Sequence, residues 1–303
     1  MSTIELHGVS RWFGNVVAVN DVTMSIGPGV TGLLGPNGAG KSTLLSMMGG
    51  FLPPSSGTVT IDGVPVWRNP ELYSGIGLVP ETEAMFDAMT AYEFVLANAR
   101  LHRVDDPASA TVAALEQVEL IEARDRKVGT FSKGMKQRVK MATALVHKPK
   151  VLLLDEPFNG MDPRQRLHLL ELLQRLGDEG HTVLFSSHIL EEVEDVAGTI
   201  EVIVAGRQAA SGDFRSIRRL MTERPHQYTV TSSDNRALAA AIIADGSADA
   251  VNLTSDVLSI QASDFGRFVH ALPRIARDAG IALHDVTPAD ESLESVFAYL
   301  VAR

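Results

Sequence analysis

Gly35-Pro36-Asn37-Gly38-Ala39-Gly40-Lys41-Ser42-Thr43 is preceded by Val30-Thr31-Gly32-Leu33-Leu34 and followed by Leu44-Leu45-Ser46-Met47-Met48. The nine central residues fit the pattern Gly, any four residues, Gly-Lys-Ser/Thr. The apolar run before them reads as a short buried strand, and the run after them as the first turns of a helix. Glycines let the backbone turn tightly and bring several N–H groups against phosphate oxygens, at a helix start whose dipole favours an anion. Lys41 adds a point charge at the β- and γ-phosphates, and Ser42 offers a hydroxyl to Mg²⁺. Strand, loop and helix in this order point to a bound nucleoside triphosphate, a reading that a glycine-rich loop without that context does not support.

Composition sets outer limits. The chain has 303 residues, enough for one large domain or a large and a small one. Its 45% hydrophobic content is ordinary for a packed protein. A net charge of −10 argues against nucleic acid as the main partner, since phosphate-backbone binding needs clustered Lys and Arg. No apolar run approaches the roughly 20 residues that cross a bilayer. The opening Met1-Ser2-Thr3-Ile4-Glu5 lacks the basic flank and apolar core of a secretory signal. The absence of cysteine excludes disulfides and thiolate metal sites, in keeping with a cytoplasmic setting.

Residues 1–214 alternate strand-like apolar runs with longer helical patterns, the signature of an α/β domain. Ile4–Ser10, Val22–Ile26 and Gly57–Ile61 alternate in and out like antiparallel strands. A helical region is expected from about 86 to 147, opening with a capping box of Thr90 and Glu93. The parallel core resumes at Val151–Leu154 and Thr182–Phe185. Residues 215–225 read as a basic helical connector ended by Pro225. From 226 to 303 the pattern predicts strand, helix, strand, strand, helix, strand, helix, a small α+β domain of ferredoxin-like type. Its apolar positions are Val230, Leu238, Ile242, Val257, Ile260, Phe268 and Ile281.

Four apolar residues lead into Asp155-Glu156-Pro157. A carboxylate at the end of a buried strand, beside a phosphate loop, is placed to hold Mg²⁺ directly or through water. Glu156, one residue on, is placed to polarise the water that attacks the γ-phosphate. His188 follows the next strand in Ser186-Ser187-His188 and can reach the γ-phosphate to orient water or transition state. Taken alone, such a histidine is more often a helix cap or a packed residue. In Phe131-Ser132-Lys133-Gly134-Met135-Lys136-Gln137-Arg138, Ser132 reads as an N-cap whose hydroxyl and free N–H groups can face a phosphate. Without the other motifs this is a capped basic helix with a solvated face.

In order and spacing, these motifs resemble the nucleotide-binding subunit of ABC transporters. The likeness spans residues 4 to about 213 and includes the D-loop-like Asn159-Gly160-Met161-Asp162. The resemblance implies a P-loop NTPase fold with antiparallel β and helical subdomains. It implies that Phe13 stacks on adenine, that Lys41, Glu156 and His188 serve hydrolysis, and that Ser42, Glu81 and Asp155 meet Mg²⁺. Ser132 and Gly134 would face the ATP held by another subunit. Two departures from the usual pattern stand out: Lys133 and Met135 replace the signature's first glycine and its glutamine, and Glu81 stands where a glutamine is usual. Both look like the ATPases of the ABC-2 exporter branch, as do the last 80 or so residues.

The resemblance further implies that ATP is hydrolysed between two ATPase subunits, the second expected to be another copy of this chain. A separate ABC-2-type transmembrane subunit would dock by a coupling helix in the groove around Glu81 and Phe86. The location implied is cytoplasmic, peripheral on the inner face of the plasma membrane. An importer ATPase shares the fold. A non-transport ABC ATPase of DNA repair or the ribosome usually carries a long coiled-coil insertion or tandem cassettes, and this sequence shows neither.

Overall fold

The computed structural model describes residues 2–82, 85–194, 196–213, 226–254 and 257–288. They fall into two compact units, one made by the described residues up to 213 and one by 226–288. The connector expected at 215–225 and the last expected helix, Leu293–Val301, lie outside the described residues.

The first unit is built on two sheets. One is antiparallel, with strands β1 (Ile4–Phe13), β2 (Val16–Ile26), β4 (Ser56–Ile61) and β5 (Val64–Pro65) in the order β2-β1-β4-β5. The other holds β3 (Gly29–Leu34), β6 (Ile76–Val79), β7 (Val151–Leu154), β8 (Thr182–Ser187), β9 (Thr199–Val204) and β10 (Arg207–Gly212). Its order is β10-β9-β3-β8-β7-β6, parallel except for the edge strand β10. All four residues of β7 and all six of β8 are buried, as expected of parallel strands covered on both faces. Leu33, Leu44, Leu45, Leu153 and Leu184 join Ile4, Leu6 and Met24 of the antiparallel sheet in one core.

This order positions the site. β8 lies between β3 and β7, with Leu34 opposite Ser187 and Leu154 opposite Phe185. The carboxyl ends of three adjacent parallel strands therefore carry the phosphate loop, the segment beginning at Ser187 and Asp155-Glu156, where α/β sheets bind ligands.

The helical region is divided into α3 (Ala91–Leu101), α4 (Pro107–Gln117) and α5 (Lys133–Leu145), following α1 (Lys41–Met48) and α2 (Pro70–Tyr73). The capping box forms as expected: Thr90 Oγ1 accepts from Glu93 N, and Glu93 Oε2 accepts from Thr90 N. On α4 the buried positions are Thr111, Ala114 and Leu115. His102, which caps α3, stacks on His147 just beyond α5, with ring centres 3.8 Å apart and planes 8° off parallel.

Burial holds His147 neutral, lowering its pKa to about 4 from 6.5, with its neighbour His102 adding to the effect. The unfolded chain takes up that proton near pH 6.5, so the stabilisation is full above 6.5 and is lost as pH falls towards 4. The melting temperature of the wild type should accordingly fall between pH 7 and 5 more steeply than that of His147→Gln. Equal slopes in a thermal-melt series would refute this.

The second unit contains β11 (His226–Ser232), α8 (Asn235–Asp245), β12 (Ala250–Thr254), β13 (Val257–Ala262), α9 (Phe265–Asp278) and β14 (Leu283–Pro288). Its sheet runs β12-β13-β11-β14 with every pair antiparallel, the ferredoxin-like order. Tyr228, Val230, Leu238, Ile242, Leu258, Ile260 and Phe268 form a core of their own. The expected inward position Val257 is partly exposed, and Leu258 takes the core place. In a strand a one-residue shift exchanges the faces. A chain ending at Leu220 should therefore fold and bind ATP with near wild-type affinity, measurable by calorimetry; an unfolded product would show that the first unit needs the second.

Candidate functional site

The phosphate loop leaves β3 and enters α1 through Gly40, whose φ is +103°. A Cβ at Gly40 would lie 2.4 Å from the Ala18 carbonyl oxygen, so both conformation and space demand glycine. Lys41, only 6% exposed, turns back over the loop. Its Nζ donates to the Gly35 oxygen at 2.6 Å and the Pro36 oxygen at 3.3 Å, and lies 3.5 Å from Glu156 Oε1.

Asp155 and Glu156, just past the end of β7, are both held by Ser186 of the neighbouring β8. Its hydroxyl donates to Asp155 Oδ1 at 2.6 Å and accepts from the Glu156 backbone N–H at 2.8 Å. Glu156 adopts φ +47°, a left-handed conformation uncommon outside glycine, which Ser186 fixes through the backbone N–H. Its Oε2 lies 3.0 Å from His188 Nδ1, while its Oε1 has no hydrogen-bond partner although buried. Burial pushes the Glu156 carboxyl above the usual range, with Lys41 and His188 pulling it back. A buried carboxylate of raised basicity, one of whose oxygens has only the Lys41 ammonium at 3.5 Å and no hydrogen bond, can accept a proton from water.

A cavity of about 290 Å³ is lined by Asn37 to Thr43 together with Ala18, Glu81 and Glu156. Glu81 is held there from behind: the buried Lys140 of α5 donates to the Pro80 and Glu81 carbonyls at 2.7 and 3.2 Å. Sequence reasoning missed Ala18, Ser186 and Lys140. Ala18 carries no chemical group to signal it, whereas a serine directly before Ser187-His188 was the visible hint of Ser186.

Other expected residues stand apart from the cavity wall. Phe13, at the end of β1, is 47% exposed with the Arg11 guanidinium 4.7 Å over its ring. Ser132 is exposed and caps α5, its hydroxyl accepting from Met135 N at 3.2 Å. Gly134 is buried beneath the D-loop-like segment, where a Cβ would lie 2.9 Å from the Gly160 oxygen. The start of α5 and residues 160–161 thus pack backbone against backbone. Among the described residues no helix is long and apolar enough to cross a membrane.

Known proteins resemble this chain in sequence and fold. The family described as ABC transporter matches residues 19–159. The linearmycin resistance ATP-binding protein LnrL of Bacillus subtilis is 33% identical over 309 residues, covering 99% of this chain and 98% of that protein. The bacitracin transport ATP-binding protein BcrA of Enterococcus faecalis is 32% identical, covering 98% and 96%. Among solved structures, an ATP-binding subunit of an ABC transporter superposes with TM-score 0.65 at 30% identity, over 72% of this chain and 92% of that one. A dimeric bacterial ABC transporter cassette, 24% identical, shares the fold with TM-score 0.66 over 70% and 99%. The chain belongs to the ATP-binding proteins of ABC transporters: it is an ATP-binding, ATP-hydrolysing subunit of such a system.

Proposed function

We propose that two copies of this chain power an exporter whose transmembrane part is a separate polypeptide of ABC-2 type, at the inner face of the plasma membrane. The observation that carries the pairing is the position of Ser132. It caps an exposed helix start built to meet an anion, yet it does not line the cavity of its own subunit. A second copy supplies that group, so ATP is enclosed between the phosphate loop of one subunit and Ser132 of the other. Export is favoured by relatives whose names are linearmycin resistance, bacitracin transport and Nod factor export.

Within one site, the loop amides and Lys41 hold the β- and γ-phosphates, and Phe13 offers its ring to the adenine. The oxygen donors Ser42 and Glu81 share one cavity wall, and Asp155 stands beside Glu156 with one carboxylate oxygen outside its bond to Ser186. Such a hard-oxygen set fits Mg²⁺, which takes few protein ligands alongside phosphate and water. When bound, the ion neutralises phosphate charge. Glu156 Oε1 takes the proton of the attacking water, while His188 is fixed by Nδ1–H donation to Glu156 Oε2, leaving Nε2 to face the γ-phosphate.

The membrane subunit docks in the groove around Glu81 and Phe86. Phe86 is 71% exposed, and on the same unit a cavity of about 360 Å³ has Phe51, Tyr73, Ile76, Leu78 and Asn98 in its lining. Tagged protein from native membranes should copurify with a polypeptide of about six spans that stimulates its ATPase activity, and Phe51→Asp should abolish the copurification. Recovery with ribosomes or DNA instead would favour a non-transport ABC ATPase.

A further inference from the structure

Glu192, on α7 (Leu190–Glu194), is 5% exposed and does not line the nucleotide cavity, yet both of its carboxylate oxygens are engaged. Oε2 accepts from Ser187 Oγ at 2.5 Å, and Oε1 accepts from Arg166 NH2 at 2.8 Å. The same Ser187 hydroxyl oxygen accepts the backbone N–H of Ile189 at 3.0 Å. One side chain therefore ties together the residues on either side of His188, and Glu192 holds that side chain by a short, charge-assisted bond. Arg166 belongs to α6 (Pro163–Asp178), which Asp162 caps through Gln165 N at 2.9 Å. Asp162 ends the segment whose Gly160 packs against Lys133 and Gly134.

We propose that Glu192 is a positioning residue for His188, and that the Arg166–Glu192 pair links the histidine's turn to the D-loop-like segment and the start of α5. The inference rests on the roles proposed above for Glu156 and His188. It gives a contiguous route, of backbone packing between Gly134 and Gly160 and of polar contacts from Asp162 through α6 and Glu192 to Ser187, by which a displacement at Ser132, where the second subunit meets ATP, reaches the His188–Glu156 pair. Glu192 is absent from the lining of the nucleotide cavity, so it acts on the geometry of the chemical step and not on ATP binding.

The test is a double-mutant cycle on the full-length protein, with kcat and KM for ATP measured separately. Glu192→Gln should lower kcat about tenfold with KM changed less than about twofold, because a small displacement of a catalytic group costs rate rather than affinity. Arg166→Gln, at a site whose side chain is 38% exposed, should lower kcat in the same direction without unfolding the chain. In a His188→Ala background, Glu192→Gln should have almost no further effect on kcat. Wild-type kcat for Glu192→Gln, a loss expressed in KM, or full additivity with His188→Ala would each overturn the proposal. If His188→Ala itself turns over like wild type, the reading of the histidine fails and this proposal with it. If His188→Ala is impaired and Glu192→Gln is not, the link alone falls.

Discussion

Glu156→Gln protein should bind ATP as tightly as wild type, hydrolyse it about a thousandfold more slowly, and accumulate as an ATP-bound dimer. General-base catalysis contributes factors of about 10² to 10⁴, and the amide keeps the shape of the side chain while losing its basicity. Both oxygen positions matter: Oε2 meets His188, whereas Oε1, without a hydrogen-bond partner, is the one available to water. The substitution also has a thermodynamic signature. Burial raises the Glu156 pKa, so the fold prefers the protonated form, and stability is lost as pH rises from the ordinary carboxylate value of 4.5 through the raised one, the loss being complete above it. Glu156→Gln should therefore melt higher than wild type at pH 8, and the gain should shrink as pH falls through the Glu156 pKa. Single-turnover hydrolysis, size-exclusion chromatography with ATP, and melts at two pH values check the three parts. Turnover within tenfold of wild type would move the base elsewhere, with His188 the next candidate.

Mixing two dead proteins should restore activity. Lys41→Ala removes the charge that the loop brings to the phosphates, and Ser132→Arg replaces the exposed cap with a bulky cation at the proposed subunit contact. Each protein alone should lose at least about a hundredfold in turnover, the order expected when an oriented phosphate contact is removed. In a mixed dimer, the loop of the Ser132→Arg subunit faces the intact Ser132 of the Lys41→Ala subunit, and that one site is whole. With random pairing and independent sites, an equal mixture should recover about a quarter of wild-type activity, because half the dimers carry one good site of two. Full activity of Ser132→Arg alone would show that the helix start meets no nucleotide. An inactive mixture in which mixed dimers are shown to form would mean that both sites must be intact for turnover.

Features made of contiguous residues were legible in the chain itself. The phosphate loop, the Thr90–Glu93 capping box and the Ser132 cap depend on backbone groups within about four positions, so residue types at fixed spacing suffice to specify them. The buried runs Val151–Leu154 and Thr182–Phe185 were equally readable as strands, and so was the alternation of elements over residues 226–288. Their neighbours were not. The insertion of β8 between β3 and β7 brings His188 within 3.0 Å of Glu156, 32 positions away in the chain. Hydrophobic periodicity reports that a strand is buried and says nothing about which strand lies beside it. The same limit hid the hold of Lys140 on the Glu81 segment, 59 positions off, and the bridge from Arg166 through Glu192 to Ser187. Each of these is a polar contact whose partners are chosen by packing, since a buried charge or carbonyl must find its complement wherever the fold brings one near. Residue type announced which groups can do chemistry; the order of strands in the sheet decided which of them meet.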